Sequence, residues 1–165
     1  MQPYLPYGWQ KPQGQIRIFA RNNKKRLNLM GFMDADLRLS VYQNEKSITS
    51  EFFINAVEDF IKQVDKPTVL VMDNSPIHRC KAVYYKLRQW QNQNLFIFFL
   101  PKYSPHLNPI EILWKRMKYK WLNKRHYHSF RTLKKQVGKI ITQFGVEYTI
   151  NFKELDLNNY KINFA

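Results

Sequence analysis

The spacing of apolar residues along the chain changes period twice. Residues 1–14 hold three prolines and read as a surface loop. From Gln15 the pattern alternates, with Ile16 and Ile18 on one face and Arg17 and Phe19 on the other. After the polar turn Asn22-Asn23-Lys24-Lys25, Leu27, Leu29, Gly31 and Met33 alternate again. Asp34-Ala35-Asp36 turns the chain, and Leu37, Leu39 and Val41 form a third period-2 set. Three such sets separated by turns predict an antiparallel meander. Beyond Ser47–Ser50, which offers N-cap hydroxyls, Phe52, Phe53, Ala56, Val57, Phe60, Ile61 and Val64 recur at helical spacing, with Lys66-Pro67 as the expected stop.

The continuous run Thr68-Val-Leu-Val-Met predicts a strand buried on both faces that ends at Asp73. A helix over Lys81–Gln91 and a second buried strand over Leu95–Leu100 follow, then helices from Pro109 and from Ser129 to about Phe144. Strands separated by helices imply parallel crossovers. The expected fold class is α/β: a mixed sheet, meander plus parallel strands, flanked by helices. Residues 1–145 form one domain and 146–165 a loosely attached tail. Asp73 falls at the carboxyl end of one parallel strand and Glu111 just beyond its neighbour, where ligand sites form in such sheets.

Composition narrows the partners. A formal charge of +15 with 16% aromatic residues favours a polyanion such as nucleic acid. A lone cysteine, Cys80, excludes an intrachain disulfide and fits a reducing compartment. Apolar runs are too short for a bilayer, which takes about 20 residues. The N-terminus lacks a signal-peptide layout. A cytoplasmic, nucleoid-associated protein is expected. Between Pro101 and Gly145 stand eleven Lys or Arg and a single acid, Glu111.

Local rules explain each acid taken alone. Asn108 is a favoured N-cap, Pro109 suits the first helical position, and Glu111 can reach back to the cap amide. Asp73-Asn-Ser-Pro is an ordinary turn. The pair is more informative. Two carboxylates at one end of a parallel sheet, in a strongly cationic chain, suit magnesium or manganese and metal-assisted phosphodiester chemistry. Lys102, Lys115, Arg116, Lys118 and Lys120 are the candidates for DNA phosphate contact. Scattered His with one Cys lack zinc-ligand spacing, and Ser104 with His106 resembles a hydrolase dyad only superficially. Ile110, Leu113, Trp114, Met117 and Trp121 lie on one helical face and read as core.

Two strings carry a family resemblance: Val-Leu-Val-Met-Asp73-Asn74 with His78 after it, and Phe-Leu-Pro-Lys-Tyr-Ser-Pro-His-Leu-Asn108-Pro-Ile-Glu111-Ile-Leu-Trp114. They resemble the DDE transposases of the Tc/mariner superfamily, in the branch found in bacterial insertion sequences. Tyr7-Gly-Trp9 with Lys11 and Gly14 is similar to the segment after those enzymes' first strand. The resemblance spans about residues 4–125.

It implies an RNase H-like fold and DNA transposition by two-metal (Mg2+ or Mn2+) phosphodiester cleavage and strand transfer. Asp73 and Glu111 take the places of the second and third metal-binding acids, with Asn74, His78 and Asn108 at the site edge. The family's first Asp stands on a central strand upstream of the Tyr-Gly-Trp segment, and that strand is expected to be missing here. Asp34 and Asp36 are expected at the wrong end of the sheet to replace it. A truncated catalytic domain, inactive alone, is therefore expected, with the upstream segment supplied through frameshifting. DNA (transposon ends and target) is the expected partner, and a homodimer is expected by family analogy. A non-catalytic DNA-binding remnant and a stand-alone RNase H-like nuclease remain alternatives.

Overall fold

The computed structural model describes residues 25–102, 104 and 107–151. The expected N-terminal loop, the strand at 15–19 and residues 152–165 of the tail lie outside them. Strand β1 (Asn28–Met33) pairs antiparallel with β2 (Leu39–Asn44), Asn28 opposite Asn44 and Met33 opposite Leu39. Asp34 closes the turn. Its Oδ1 accepts the amides of Asp36 and Arg38 at 3.0 and 2.9 Å, and its Oδ2 meets Arg38 Nε at 2.6 Å. Burial would raise this carboxyl's pKa, but the Arg38 contacts outweigh it and hold the group below its ordinary value. Leu37, expected in the strand, instead sits in the turn with φ 62°.

Helix α1 (Ser50–Ile61) starts where Thr49 Oγ1 accepts the Phe52 amide at 3.2 Å, and it buries Phe53, Ala56, Val57 and Ile61. It stops well before Pro67: the Lys62 amide turns to the carbonyls of Asp59 and Phe60, closing a tight last turn. Strand β3 (Thr68–Met72), helix α2 (Lys81–Gln91) and β4 (Leu95–Phe99) form the expected crossover. β3 and β4 are parallel, with Thr68 opposite Leu95 and Met72 opposite Phe99.

Burial of this pair departs from expectation. Met72 and Leu95 are buried beneath Phe53, Val57, Val83 and Trp90, so both helices cover the same face. Val69, Val71, Phe96 and Phe98 point the other way and are 60%, 45%, 41% and 45% exposed. The register sets Val69 beside Phe96 and Val71 beside Phe98. Unbroken apolar runs are compatible with double burial, but what covers a second face is decided by distant elements that a strand's own residues do not encode.

Among the described residues the expected mixed sheet is two two-stranded sheets, β1-β2 and β3-β4, with no ladder between them. They still share a core, since Phe32 of β1 and Met72 of β3 belong to one buried cluster. A second cluster lies under helices α3 (Pro109–Arg116) and α4 (Phe130–Thr142), where Leu113, Met117, Leu122, Leu133, Val137 and Ile140 meet Leu27 and Ile150. Each fully buried Leu or Ile there contributes roughly 1.5–3 kcal/mol of apolar burial. Between the helices, Met117–Trp121 forms one wide π turn, closed by the Leu122 amide on the Met117 carbonyl at 2.9 Å. A short 3-10 turn, Lys124–Tyr127, follows, and Ser129 Oγ caps α4 through the Thr132 amide at 3.0 Å. No described helix is long and apolar enough to cross a membrane.

Helix α3 is held very close to β1. A Cβ at Gly31 would lie 2.9 Å from the Ser40 carbonyl oxygen and 3.3 Å from both Ile110 Cδ1 and Trp114 Cζ2. Only a residue without a side chain lets α3 approach the strand this closely. That contact places the first turn of α3.

Candidate active site at the ends of the parallel strands

Asp73 follows β3 directly, and its carboxylate is held by its own turn. Oδ1 accepts the Ser75 amide at 2.9 Å and lies 2.8 Å from His78 Nδ1. A carboxylate can only accept, so this hydrogen bond places the imidazole proton on Nδ1. The His78 ring packs on Phe53 with centroids 4.6 Å apart, and its side chain is 19% exposed against 48% for Asp73. His78 therefore backs the carboxylate from the core side.

Asn74 ties the two strand ends together: its Nδ2 donates to the carbonyl of Leu100, just beyond β4. Its Oδ1 is buried with no hydrogen-bond partner. From Leu100 the chain crosses the proline loop and enters α3. Asn108 takes the N-cap position with extended backbone and Pro109 follows it, as expected. The expected side-chain cap does not form. Asn108 makes no such bond, and the Glu111 amide instead donates to the Asn108 carbonyl at 3.0 Å. With the amides served by backbone, the Asn108 and Glu111 side chains are not consumed by capping.

These turns enclose one cleft of about 390 Å3, lined by Asp73, Asn74, Ser75, Leu100, Pro101, Lys102, Ser104, Asn108 and Glu111. Two carboxylates far apart in sequence thus face one space, with Lys102 beside them. The turn around Asp34 and Asp36 does not line it. Lys115, Arg116, Lys118 and Lys120 also lie outside the lining, along α3 and the π turn. Lys115 and Lys120 are exposed, Arg116 and Lys118 half-buried, and Lys118 Nζ sits 5.2 Å from the centre of the Tyr119 ring.

Ser75 and Ser104 are lining residues that sequence reasoning left out. Ser75 had a usable signal, since Asp followed two positions later by Ser is an Asx-turn pattern. Ser104 had none that separates it from ordinary loop residues.

The cleft's donor set is oxygen: two carboxylates, the side-chain amides of Asn74 and Asn108, and hydroxyls. That set fits a hard cation such as magnesium, which binds through one or two carboxylates and keeps several waters or phosphate oxygens. The unpartnered Asn74 Oδ1 is a further acceptor at the same site. No group of three or more His, Cys, Asp or Glu converges among the described residues. The donors at hand therefore suit one such ion with an incomplete protein shell.

A family model described as "DDE superfamily endonuclease" matches residues 1–134. The fold is similar to that in the crystal structure of the Mos1 strand transfer complex, with TM-score 0.57 and 16% identity over 92% of this chain and 45% of that one. It is also similar to the Mos1 transposase paired-end complex with left transposon end, with TM-score 0.53 and 18% identity over 82% of this chain and 42% of that one. The chain thus spans less than half of either. No match was found among curated proteins. The likeness bears out the expected α/β architecture at the level of the RNase H-like DDE fold.

Proposed function

Because the chain belongs to the DDE superfamily endonucleases, we propose that it is a transposase catalytic domain of the bacterial insertion-sequence branch, acting on transposon ends and target DNA. The observation that carries this reading is the convergence of Asp73 and Glu111 on one cleft at the ends of β3 and β4. Asp73 Oδ1 is engaged by Ser75 and His78, which leaves Oδ2 for a magnesium or manganese ion, with Glu111 as the second ligand. When bound, the metal neutralises phosphate charge and activates a water or hydroxyl for attack on phosphorus. Asn74 fixes the spacing of the strand ends, and Asn108 edges the site. Lys102 holds a phosphate oxygen inside the cleft, while Lys115, Arg116, Lys118 and Lys120 bind the backbone beyond it.

The reading includes a third carboxylate on a strand supplied from an upstream reading frame, so that the short chain is inactive alone. A homodimer completes the assembly. What supports the extra strand is the break in the sheet: among the described residues β1 and β3 share a core yet make no ladder with each other.

The test is a nicking and strand-transfer assay with Mg2+ or Mn2+, run on this chain with and without the upstream segment. The expected result is activity only with the segment present, abolished by Asp73→Asn or Glu111→Gln. Activity of the short chain would overturn the claim of inactivity. Metal-independent DNA binding with no nicking in either form would point to a non-catalytic remnant.

A further inference from the structure

Helix α2 carries an outward face that the proposed reaction does not use. Lys81, Tyr84, Tyr85 and Arg88 recur at helical spacing on one side of it, and all are exposed, Tyr84 by 47% and Tyr85 by 82%. Arg79, just before the helix, extends the row. Its guanidinium stands 5.1 Å from the centre of the Phe99 ring and donates to the Tyr84 hydroxyl at 3.3 Å. Arg79 is therefore a cation held in place rather than one on a free stem.

The face has no acidic complement. Between Asp73 and Glu111 the sequence contains no Asp or Glu at all. Glu58 of α1 is engaged by Lys86 at 2.7 Å on the helix flank. Among the described residues, none of Arg79, Lys81 and Arg88 makes an ion pair. The row is also continuous with the cleft. Arg79 closes the turn that Asp73 opens, and the ring beneath it belongs to the residue before Leu100, which lines the cleft.

We propose that Arg79 and the Lys81-Tyr84-Tyr85-Arg88 face of α2 bind single-stranded DNA leading away from the cleft. This rests on the reading of the cleft as a DNA-cleaving site. Lysine and arginine alone would suit any phosphate backbone. The two exposed tyrosines distinguish the ligand, because their rings can stack only on bases that are unpaired. From Lys81 to Arg88 the face runs about 10 Å along the helix, enough for a short unpaired stretch beside a cut end.

The experiment measures binding of the full chain to a labelled single-stranded oligonucleotide and to a blunt duplex of the same length, by fluorescence anisotropy over a salt series. Tyr85→Ala is expected to weaken single-strand binding roughly five- to tenfold, with duplex affinity unchanged. Arg79→Ala is expected to weaken single-strand binding and flatten its salt dependence. Both side chains are exposed, so folding is checked by unchanged urea midpoints. Duplex binding with single-strand affinity untouched by Tyr85→Ala overturns this inference and leaves the cleft reading standing. Failure of the unaltered chain to bind either DNA overturns both. A change of sedimenting mass in Tyr85→Ala without a change in DNA affinity makes the face a protein interface and overturns the proposal.

Discussion

The imidazole of His78 reaches back across its own turn to place Nδ1 2.8 Å from Oδ1 of Asp73. Groups that hydrogen-bond a ligating carboxylate fix its direction, and their loss typically lowers metal affinity by about 10- to 100-fold. His78→Phe keeps a ring against Phe53 but removes the hydrogen bond. It is expected to weaken Mn2+ binding, followed by titration calorimetry, by about tenfold with little change in thermal midpoint. Equal Mn2+ affinity in the variant would show that Ser75 alone orients the carboxylate.

Gly31 is where α3 rests on β1, and a methyl group there has nowhere to go. The 2.9 Å approach to the Ser40 carbonyl is to backbone and cannot be relieved by a side-chain rotation. Gly31→Ala is expected to destabilise the fold by about 1–3 kcal/mol, read as a lower urea midpoint. It should also weaken Mn2+ binding, because the same helix carries Glu111. A stable variant with unaltered metal binding would show that α3 can shift without moving the site.

Leu113 lies on α3 two residues beyond Glu111 and is fully buried. Leu113→Ala opens a cavity between α3 and α4 and is expected to cost about 2–5 kcal/mol, measured by chemical denaturation. A much smaller loss would mean that the second cluster collapses around the gap.

His126 gives a pH dependence with a definite sign. Its Nδ1 accepts the Asn123 amide at 3.0 Å, completing the cap of the 3-10 turn, and accepting requires an unprotonated nitrogen. Burial, with Arg125 nearby, holds its pKa below the ordinary 6.5. Below 6.5 the unfolded chain therefore takes up protons before the folded one does. The contribution is complete above that pH and is lost as pH falls through the folded value. Amide exchange at Arg125 and His126 should speed up as the solution is acidified from pH 7 to about 5. In His126→Phe this acceleration should disappear.

What the sequence made legible was local. The α2 boundaries, the start at Pro109 and the ends of both parallel strands follow from periodicity and turn residues, which act within a few positions. Asp73 and Glu111 were legible as a pair because both follow strands that crossover geometry sets side by side. Longer-range facts were not legible. Which face of β3 and β4 is covered depends on where two helices land. Asn108 was a good cap by composition, yet its backbone did the capping. The clamp on Asp73 required seeing that His78, five residues on, folds back onto it. Gly31 read as one position in an alternating strand, and only the packed helix shows why a side chain is excluded there.

The wide turn at Met117–Trp121 holds one residue more than a regular helical turn. Removing Tyr119, which is exposed, would let the segment close as ordinary α-helix and rotate everything after it by about 100° relative to α3. Trp121 would then swing away from Phe144 and Tyr148, the rings it now packs against. Point substitutions at Tyr119 should be well tolerated while its deletion is not. Length, rather than side-chain identity, is what this part of the chain has to preserve.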